Sequence, residues 1–279
     1  MNRKQVTGRK EDGPMKTAPI NKDLLISYLS GSMFEGNVIV SQTVDSTNRA
    51  LKRLASEGAP HGTVLVTEEQ TAGRGRLDRK WTSSPGTNLL FSVLLRPEMK
   101  ADQVFVLTMI MALAAVDGVK QACSLSARIK WPNDIYVDNR KLAGILTEFS
   151  VKNKKLVYVI TGLGLNVNWC PEGRQGMRYP CTSILKRIGK KIDRTELLAS
   201  ILQNLDADYK KFFFEKKEAL YKRWNSLSCI TGKQVVIKSN EQTIEGEVLK
   251  IGIDGSLIIK TSDNQEQKIL CGDLSLSLV

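Results

Sequence analysis

Histidine is almost absent. The chain of 279 residues has one, His61, in an Ala-Pro-His-Gly stretch that reads as a solvated turn. A multi-histidine metal site is thereby excluded, and a histidine-based triad would have to run through this one loop residue. Cysteine is scarce and odd in number: Cys123, Cys170, Cys181, Cys229 and Cys271 show no CxxC spacing. That argues against a disulfide framework and a structural zinc cluster, and points to a cytoplasmic protein. Aromatic residues are 6% of the chain, without the exposed basic–aromatic interleaving of a nucleic-acid-binding module. The longest nearly apolar stretch, Val104 to Val116, is broken by Thr108 and ends at Asp117, too short to cross a bilayer. No apolar run follows the charges of the polar N-terminus, so no signal peptide is expected. Glycine signatures for phosphate fail as well. Gly73-Arg-Gly-Arg-Leu-Asp has Asp78 where a dinucleotide fingerprint needs its third glycine, and Gly162-Leu-Gly-Leu-Asn-Val also fails. With no GxxxxGK motif, the chain is neither a P-loop nor a Rossmann protein.

What is present is an ordinary globular composition, 42% hydrophobic and 25% charged, in a chain long enough for one large and one small domain. The net charge is +12, from 41 Lys+Arg against 29 Asp+Glu, a balance suited to polyanions, nucleotide phosphates or acidic proteins. Much of it is diffuse. Residues 1–20 read as a basic disordered tail, and Lys210 to Arg223, with Glu215 and Glu218 interspersed, reads as a solvated helix face.

The apolar periodicity predicts a short helix over 21–29, a strand at 38–40, and a helix from Arg49 to Glu57 ended by Gly58. Strands follow at 63–67 and 88–95, then a helix over 101–120 that is apolar nearly all round and so buried. Short strands are expected at 128–131, 135–137 and 142–149, the last two joined across Asp138-Asn139 as a hairpin, and a longer one at 156–167. Asp193 and Glu196 have the spacing of a capping box opening a helix, with more helix at 216–225. Four or five short strands after Gly232 suggest an SH3-like β-barrel. The expected fold class is α+β: a mixed sheet with flanking helices over 21–228, then a small β domain over 229–279. Consecutive hairpin-linked strands argue against a doubly wound parallel sheet.

Four blocks carry candidate chemistry. In Gln70 to Trp81, QTAGRGRLDRKW, four cations (Arg74, Arg76, Arg79, Lys80) fall within seven residues. Glycine lets backbone N–H groups approach an anion, and arginine adds planar two-point contacts; a flexible basic loop is an equal reading of that block alone. In Lys130-Trp-Pro-Asn-Asp134, Pro132 forces a bend and Trp131 anchors it, so Asn133 and Asp134 are held at a strand end. Lys141 starts the next strand, where a fixed ammonium could neutralise two anions, and Gly144 permits close approach of a ligand or backbone. Asp45-Ser-Thr-Asn48 reads as a helix N-cap, which needs one of its side chains and leaves others to bind something. Gly162 to Asn168 is an apolar strand ending in two asparagines.

Taken in order, DSTN, QTAGRGRLDRKW, KWPND with NRKLAGIL, and GLGLNVN resemble the biotin–protein ligases, over roughly residues 38 to 279. The resemblance implies a ligase that activates biotin with ATP and Mg2+ as biotinyl-5'-AMP and passes it to a carrier lysine. It implies a biotin site of Ser46, Thr47, Asn48, Gln70, Arg74, Gly75, Arg76 and Lys141, with Lys141, Arg76 and Asp134 at the reacting centre. Arg74, Arg79, Trp81, Lys130, Asn133 and Asn166 would bind the nucleotide, and Asp134 would meet the metal. The implied partner is a biotin carboxyl carrier protein, or the carrier domain of a biotin-dependent carboxylase, with a homodimer left open. Bifunctional members carry a DNA-binding winged helix ahead of the ligase domain. The 20-residue tail is too short for one, so no specific DNA binding is expected. A lipoate–protein ligase is the alternative with related chemistry; the GRGR loop and the C-terminal β domain favour biotin. A basic nucleic-acid-binding module is the alternative of a different class.

Overall fold

The computed structural model describes residues 17–171, 180–215, 217–239, 242–270 and 273–276. Residues 1–16 of the expected tail lie outside them, as do Cys271 and the extreme C-terminus.

Seven strands form the main sheet: β1 (Val38–Val44), β2 (Thr63–Gln70), β3 (Leu89–Leu95), β4 (Arg128–Lys130), β5 (Asp134–Val137), β6 (Arg140–Lys152) and β7 (Lys155–Leu165). Their order is β1-β2-β3-β7-β6-β5-β4. β1 and β2 are parallel and every other neighbouring pair is antiparallel, which is the mixed sheet expected. The β5–β6 connection is tight, Asp138 and Asn139 both taking left-handed backbone, with φ of 45° and 60°. Such backbone is what Asn and Asp tolerate best among residues with a side chain.

Six α-helices lie among the described residues: α1 (Lys22–Tyr28), α2 (Thr47–Ser56), α3 (Phe105–Cys123), α4 (Ile184–Ile188), α5 (Arg194–Phe214) and α6 (Lys217–Leu227). The two faces of the sheet have different tenants. One carries Val64, Val66, Phe91, Val93, Val159 and Leu163 into the large core, where α3 and α5 pack. The other carries Leu65, Leu94 and Ile160 against Ala50, Leu51 and Ala55 of α2. α3 runs on past Val116 to Cys123, so with the short turn before it the apolar segment is 23 residues, longer than the sequence pattern indicated. That is long and apolar enough to cross a membrane, yet 78% of its most apolar window is buried inside the fold. It is the core helix.

The C-terminal unit is a five-stranded antiparallel sheet of β8 (Gln234–Ser239), β9 (Gln242–Ile251), β10 (Leu257–Lys260), β11 (Glu266–Ile269) and β12 (Asp273–Leu276), in the order β11-β10-β9-β8-β12. Closing a barrel would require β11 to meet β12, and no such pairing occurs among the described residues.

Three sequence-based expectations need correction. Residues 17–20 are not part of a loose tail. Thr17 donates to the Gly86 carbonyl, Ala18 O accepts from Arg194 Nη2 at 2.7 Å, and the Ile20 amide donates to Glu68 Oε1 at 2.8 Å. His61 is not a solvated turn residue. Its Nδ1 accepts from the Arg96 amide at 3.0 Å, its ring lies 5.4 Å from that of Tyr209, and burial, with Arg96 nearby, lowers its pKa. The Lys210–Arg223 segment is only partly a solvated face, because Arg223 turns inward to a bidentate pair with the buried Asp208. In each case a polar group finds its partner far along the chain, where no local pattern reports it.

One buried ion pair ties this architecture together. Arg194 Nη1 lies 2.7 Å from Glu68 Oε2, with side chains 1% and 9% exposed, and Arg194 also donates to Asn88 O and Ala18 O. The pair joins α5, β2, the turn before β3 and the N-terminal segment. Deleting one member of a buried pair leaves an uncompensated charge, at a cost of about 3–5 kcal/mol. Arg194→Met should lower the unfolding free energy by that order in a denaturant titration; a loss below about 1 kcal/mol would show that Glu68 is satisfied by other means.

Candidate active site

The cleft lies on the α2 side of the sheet, and its floor is made by missing side chains. Gly144 of β6 and Gly164 of β7 are direct cross-strand partners, and Gly162 is two residues along on the same face. A methyl group at Gly164 would stand 2.5 Å from Trp81 Cε2, and one at Gly144 would stand 3.3 Å from Trp81 Cζ3 and 3.2 Å from Lys141 Nζ. At Gly162 it would overlap Asn48 Oδ1. So the indole of Trp81 lies on the bare backbone of two strands, and its buried N–H has no acceptor among the described residues.

The arginine block is a small hairpin rather than a loose loop. Trp81 N donates to Gly73 O at 3.0 Å and Gly75 N to Arg79 O at 2.7 Å, while Arg74 and Lys80 form an antiparallel bridge. Leu77 and Asp78 turn its tip in left-handed backbone. Arg74, Arg76, Arg79 and Lys80 are thereby brought to the cleft together with Trp81.

The DSTN segment does not cap α2 as expected. Asp45 is occupied by Arg53, both guanidinium nitrogens lying 3.2 Å from its oxygens, and this hydrogen-bonded pairing holds its carboxyl below the usual range. Ser46 stands at the N-cap position with no side-chain cap bond. Gln70, at the end of β2, supplies the cap instead: its Oε1 accepts from Thr47 N at 2.8 Å and Thr47 Oγ1 at 3.1 Å. A polar chain continues inward. Ser92 Oγ lies 2.7 Å from both Thr47 Oγ1 and Asn48 Oδ1, and Asn48 Nδ2 donates to Leu146 O at 3.1 Å and Glu148 Oε2 at 2.8 Å. Glu148 Oε1 then receives Arg74 Nη1 at 3.0 Å.

On the opposite wall Lys141 Nζ lies 2.6 Å from Asp134 Oδ1, and 5.8 Å from the centroid of the Trp81 ring. The Lys141 backbone is held on both sides, its N–H to Pro180 O and its carbonyl to Thr182 N, each at 2.9 Å. The Trp131–Pro132 peptide is cis. Trp131 is 1% exposed and donates from Nε1 to Gly255 O of the C-terminal sheet at 2.9 Å. Asn133 Nδ2 donates to Ile145 O at 2.6 Å, leaving its Oδ1 3.5 Å from Arg76 Nη1. Lys130 is buried, its ammonium 5.2 Å from the centre of the Tyr136 ring.

Ser46, Thr47, Asn48, Gln70, Arg74, Gly75, Arg76, Arg79, Trp81, Lys130, Asn133, Asp134 and Lys141 therefore all border one cleft. The cavity itself has a volume of about 160 Å³. Asn166 does not join them. It is buried, donating to Thr182 O at 3.0 Å and accepting from Asn88 Nδ2 at 3.4 Å. Its observed contacts are structural ones that bind β7 to the segment after Pro180.

The chain is similar to several known proteins. The family model described as biotin/lipoate A/B protein ligase matches residues 40–166. The Bifunctional ligase/repressor BirA of Bacillus subtilis is 32% identical over 241 residues, 86% of this chain and 74% of that protein. The chain belongs to the biotin/lipoate A/B protein ligase family. The biotin–acetyl-CoA-carboxylase ligase of Paracoccus denitrificans is 31% identical over 225 residues, 77% of this chain and 91% of the relative. A biotin protein ligase from Aquifex aeolicus, solved in complex with biotin and ATP, superposes with a TM-score of 0.74 at 30% identity, covering 87% of this chain and 99% of that one.

Two residues of this family member's polar chain escaped the sequence reading, although each left a signal. Glu148 shares the cleft-facing parity of β6 with Gly144 and Leu146, and Ser92 is the one polar residue in the apolar run Leu89–Leu95. The glycine floor yields a direct test. Gly164→Ala should expel the Trp81 indole and cost about 1–3 kcal/mol through overpacking. Acrylamide quenching should rise in that variant but not when Trp81 is already Phe; unchanged quenching would mean that the ring keeps its seat.

Proposed function

We propose that this chain is a biotin–protein ligase. It joins the biotin carboxylate to the α-phosphate of ATP, releases pyrophosphate, and hands the biotinyl group to a lysine of a biotin carrier domain such as those of carboxylases. The observation that carries this reading is the concentration of fixed cations around a bare glycine floor, with Lys141 and Asp134 at 2.6 Å on one wall and the arginine hairpin on the other.

The reaction brings two anions together, so its barrier is electrostatic and geometric, and no enzyme nucleophile or histidine is needed. In this reading Thr47, Asn48 and Gln70, with Ser46, hold the polar end of the biotin ring system, and the bare backbone at Gly144 and Gly164 with the Trp81 face receives its apolar body. Lys141 sits where carboxylate and phosphate meet. Its ammonium offsets their repulsion; the two backbone hydrogen bonds at 2.9 Å fix its main chain, and Asp134 Oδ1 at 2.6 Å steadies the ammonium. Arg74, Arg76 and Arg79 would contact the carboxylate and phosphates. Lys130 and Asn133, beside them, would face the nucleotide.

Magnesium fits this site as a companion of the nucleotide. Among the described residues no cluster of three His, Cys, Asp or Glu exists, and Asp134 is the one carboxylate among the residues bordering the cleft. Magnesium is commonly held by one or two carboxylates together with substrate phosphates. When bound, it would neutralise phosphate charge.

Biotin-dependent exchange of pyrophosphate into ATP tests the reading, with lipoate as the parallel acid. Exchange with biotin alone is expected; exchange with lipoate alone would reassign the pocket, and none with either acid would sink the ligase assignment. Lys141→Ala should cut biotin-driven exchange by at least about a hundredfold, the scale of losing one preorganised charge contact, and near-normal exchange would remove Lys141 from the reacting centre. Arg76→Gly should let the adenylate escape, read as biotinylation of bystander proteins; labelling confined to the carrier would show that Arg76 does not retain the intermediate.

A further inference from the structure

Just beyond the cleft lining, two residues past Leu146 on β6, the carboxylate of Glu148 holds two of the site's residues. One oxygen accepts from Asn48 Nδ2 at 2.8 Å and the other from Arg74 Nη1 at 3.0 Å. Arg74 and Glu148 are 29% and 34% exposed, so an incoming anion can reach the pair. The two contacts differ in permanence. Asn48 is fixed on α2 by Ser92 and Leu146 as well, whereas Arg74 belongs to the hairpin arm between Gly73 and Gly75.

We propose that Glu148 is a resident counter-anion, a positioning residue that occupies Arg74 in the empty site and surrenders it to the carboxylate of the incoming acid. The inference rests on the reading of the cleft as a biotin-activating site and adds to it a residue with a defined exchange. With the acid absent, Glu148 neutralises Arg74 and pins the hairpin to the Asn48 end of the cleft. When the acid arrives, its carboxylate replaces that of Glu148 at the guanidinium, and Glu148 keeps its hydrogen bond from Asn48. The exchange swaps one carboxylate for another at the same cation and leaves the charge of Glu148, 34% exposed, to the Asn48 amide and solvent. It also makes hairpin position depend on whether the pocket is filled.

The consequence distinguishes this role from simple support. Glu148→Gln retains an oxygen for Asn48 and removes the charge that competes for Arg74, so the acid no longer has to break an ion pair to bind. A part-exposed pair is worth about 0.4–1 kcal/mol, which corresponds to binding about two- to fivefold tighter. Glu148→Ala removes the Asn48 acceptor too and should bind more weakly than the unaltered protein. Calorimetric titration of the full chain with biotin, and in parallel with biotin methyl ester, reads the effect. The gain in Glu148→Gln should appear with the acid and vanish with the neutral ester. Weaker or unchanged binding of the acid by Glu148→Gln would overturn the proposal, as would an equal gain with the ester. If the unaltered protein binds neither compound, it is the biotin reading itself that fails, and the two failures are thus told apart.

Discussion

Across the centre of the main sheet, β6 and β7 run side by side with no side chain at three neighbouring positions of one face, Gly144, Gly162 and Gly164. Elsewhere such a gap in a sheet would be a defect, since glycine contributes no packing and costs backbone entropy. Here it sets the level of everything above it. Trp81 can lie flat on two strands because nothing rises between them, Asn48 can reach into the sheet at Gly162, and Lys141 can bend its ammonium over Gly144. A cleft is a place where the chain declines to fill space, and these strands do so in the middle of a sheet whose opposite face is close-packed against α3 and α5.

Over that floor the site is assembled by polar groups that constrain one another. Gln70 caps α2, Thr47 and Asn48 on that helix meet Ser92 of β3, and Asn48 meets Glu148 of β6, which reaches back to the arginine hairpin. The chain of contacts crosses β2, α2, β3 and β6, so the hairpin's position is linked to the same elements that hold the floor. Buried polar networks of this kind are costly when half satisfied and rigid when complete. The opposite wall is fastened separately. Trp131 ties the bend before Asp134 to Gly255, so the C-terminal sheet touches the outer side of the loop that presents Asn133 and Asp134. A methyl group at Gly255 would overlap Phe105, and this turn therefore also fits closely against the start of α3.

Sequence alone was sufficient for most of the outline. The periodicities that mark α3, α5, β6 and β7 are local, because burial of one face imposes a period of 3.6 or 2 on nearby residues. The dense blocks around Arg74, Asp134 and Lys141 were legible too, since four cations in seven residues, or a Pro-bent loop flanked by charges, are improbable as mere surface. What the sequence by itself determined was thus the element order, the mixed α+β class and the residues that would meet in a cleft. Tertiary structure decided the rest: that Gln70 and not Ser46 caps α2, that Asn166 pairs with Thr182 and Asn88, that His61 accepts from the Arg96 amide, that Arg194 finds Glu68 across 126 positions, and that Glu148 stands between Asn48 and Arg74. Each is a pairing of polar groups distant in sequence. A hydrogen bond or ion pair imposes no repeat on the residues around it, so only the folded chain shows which donor has met which acceptor.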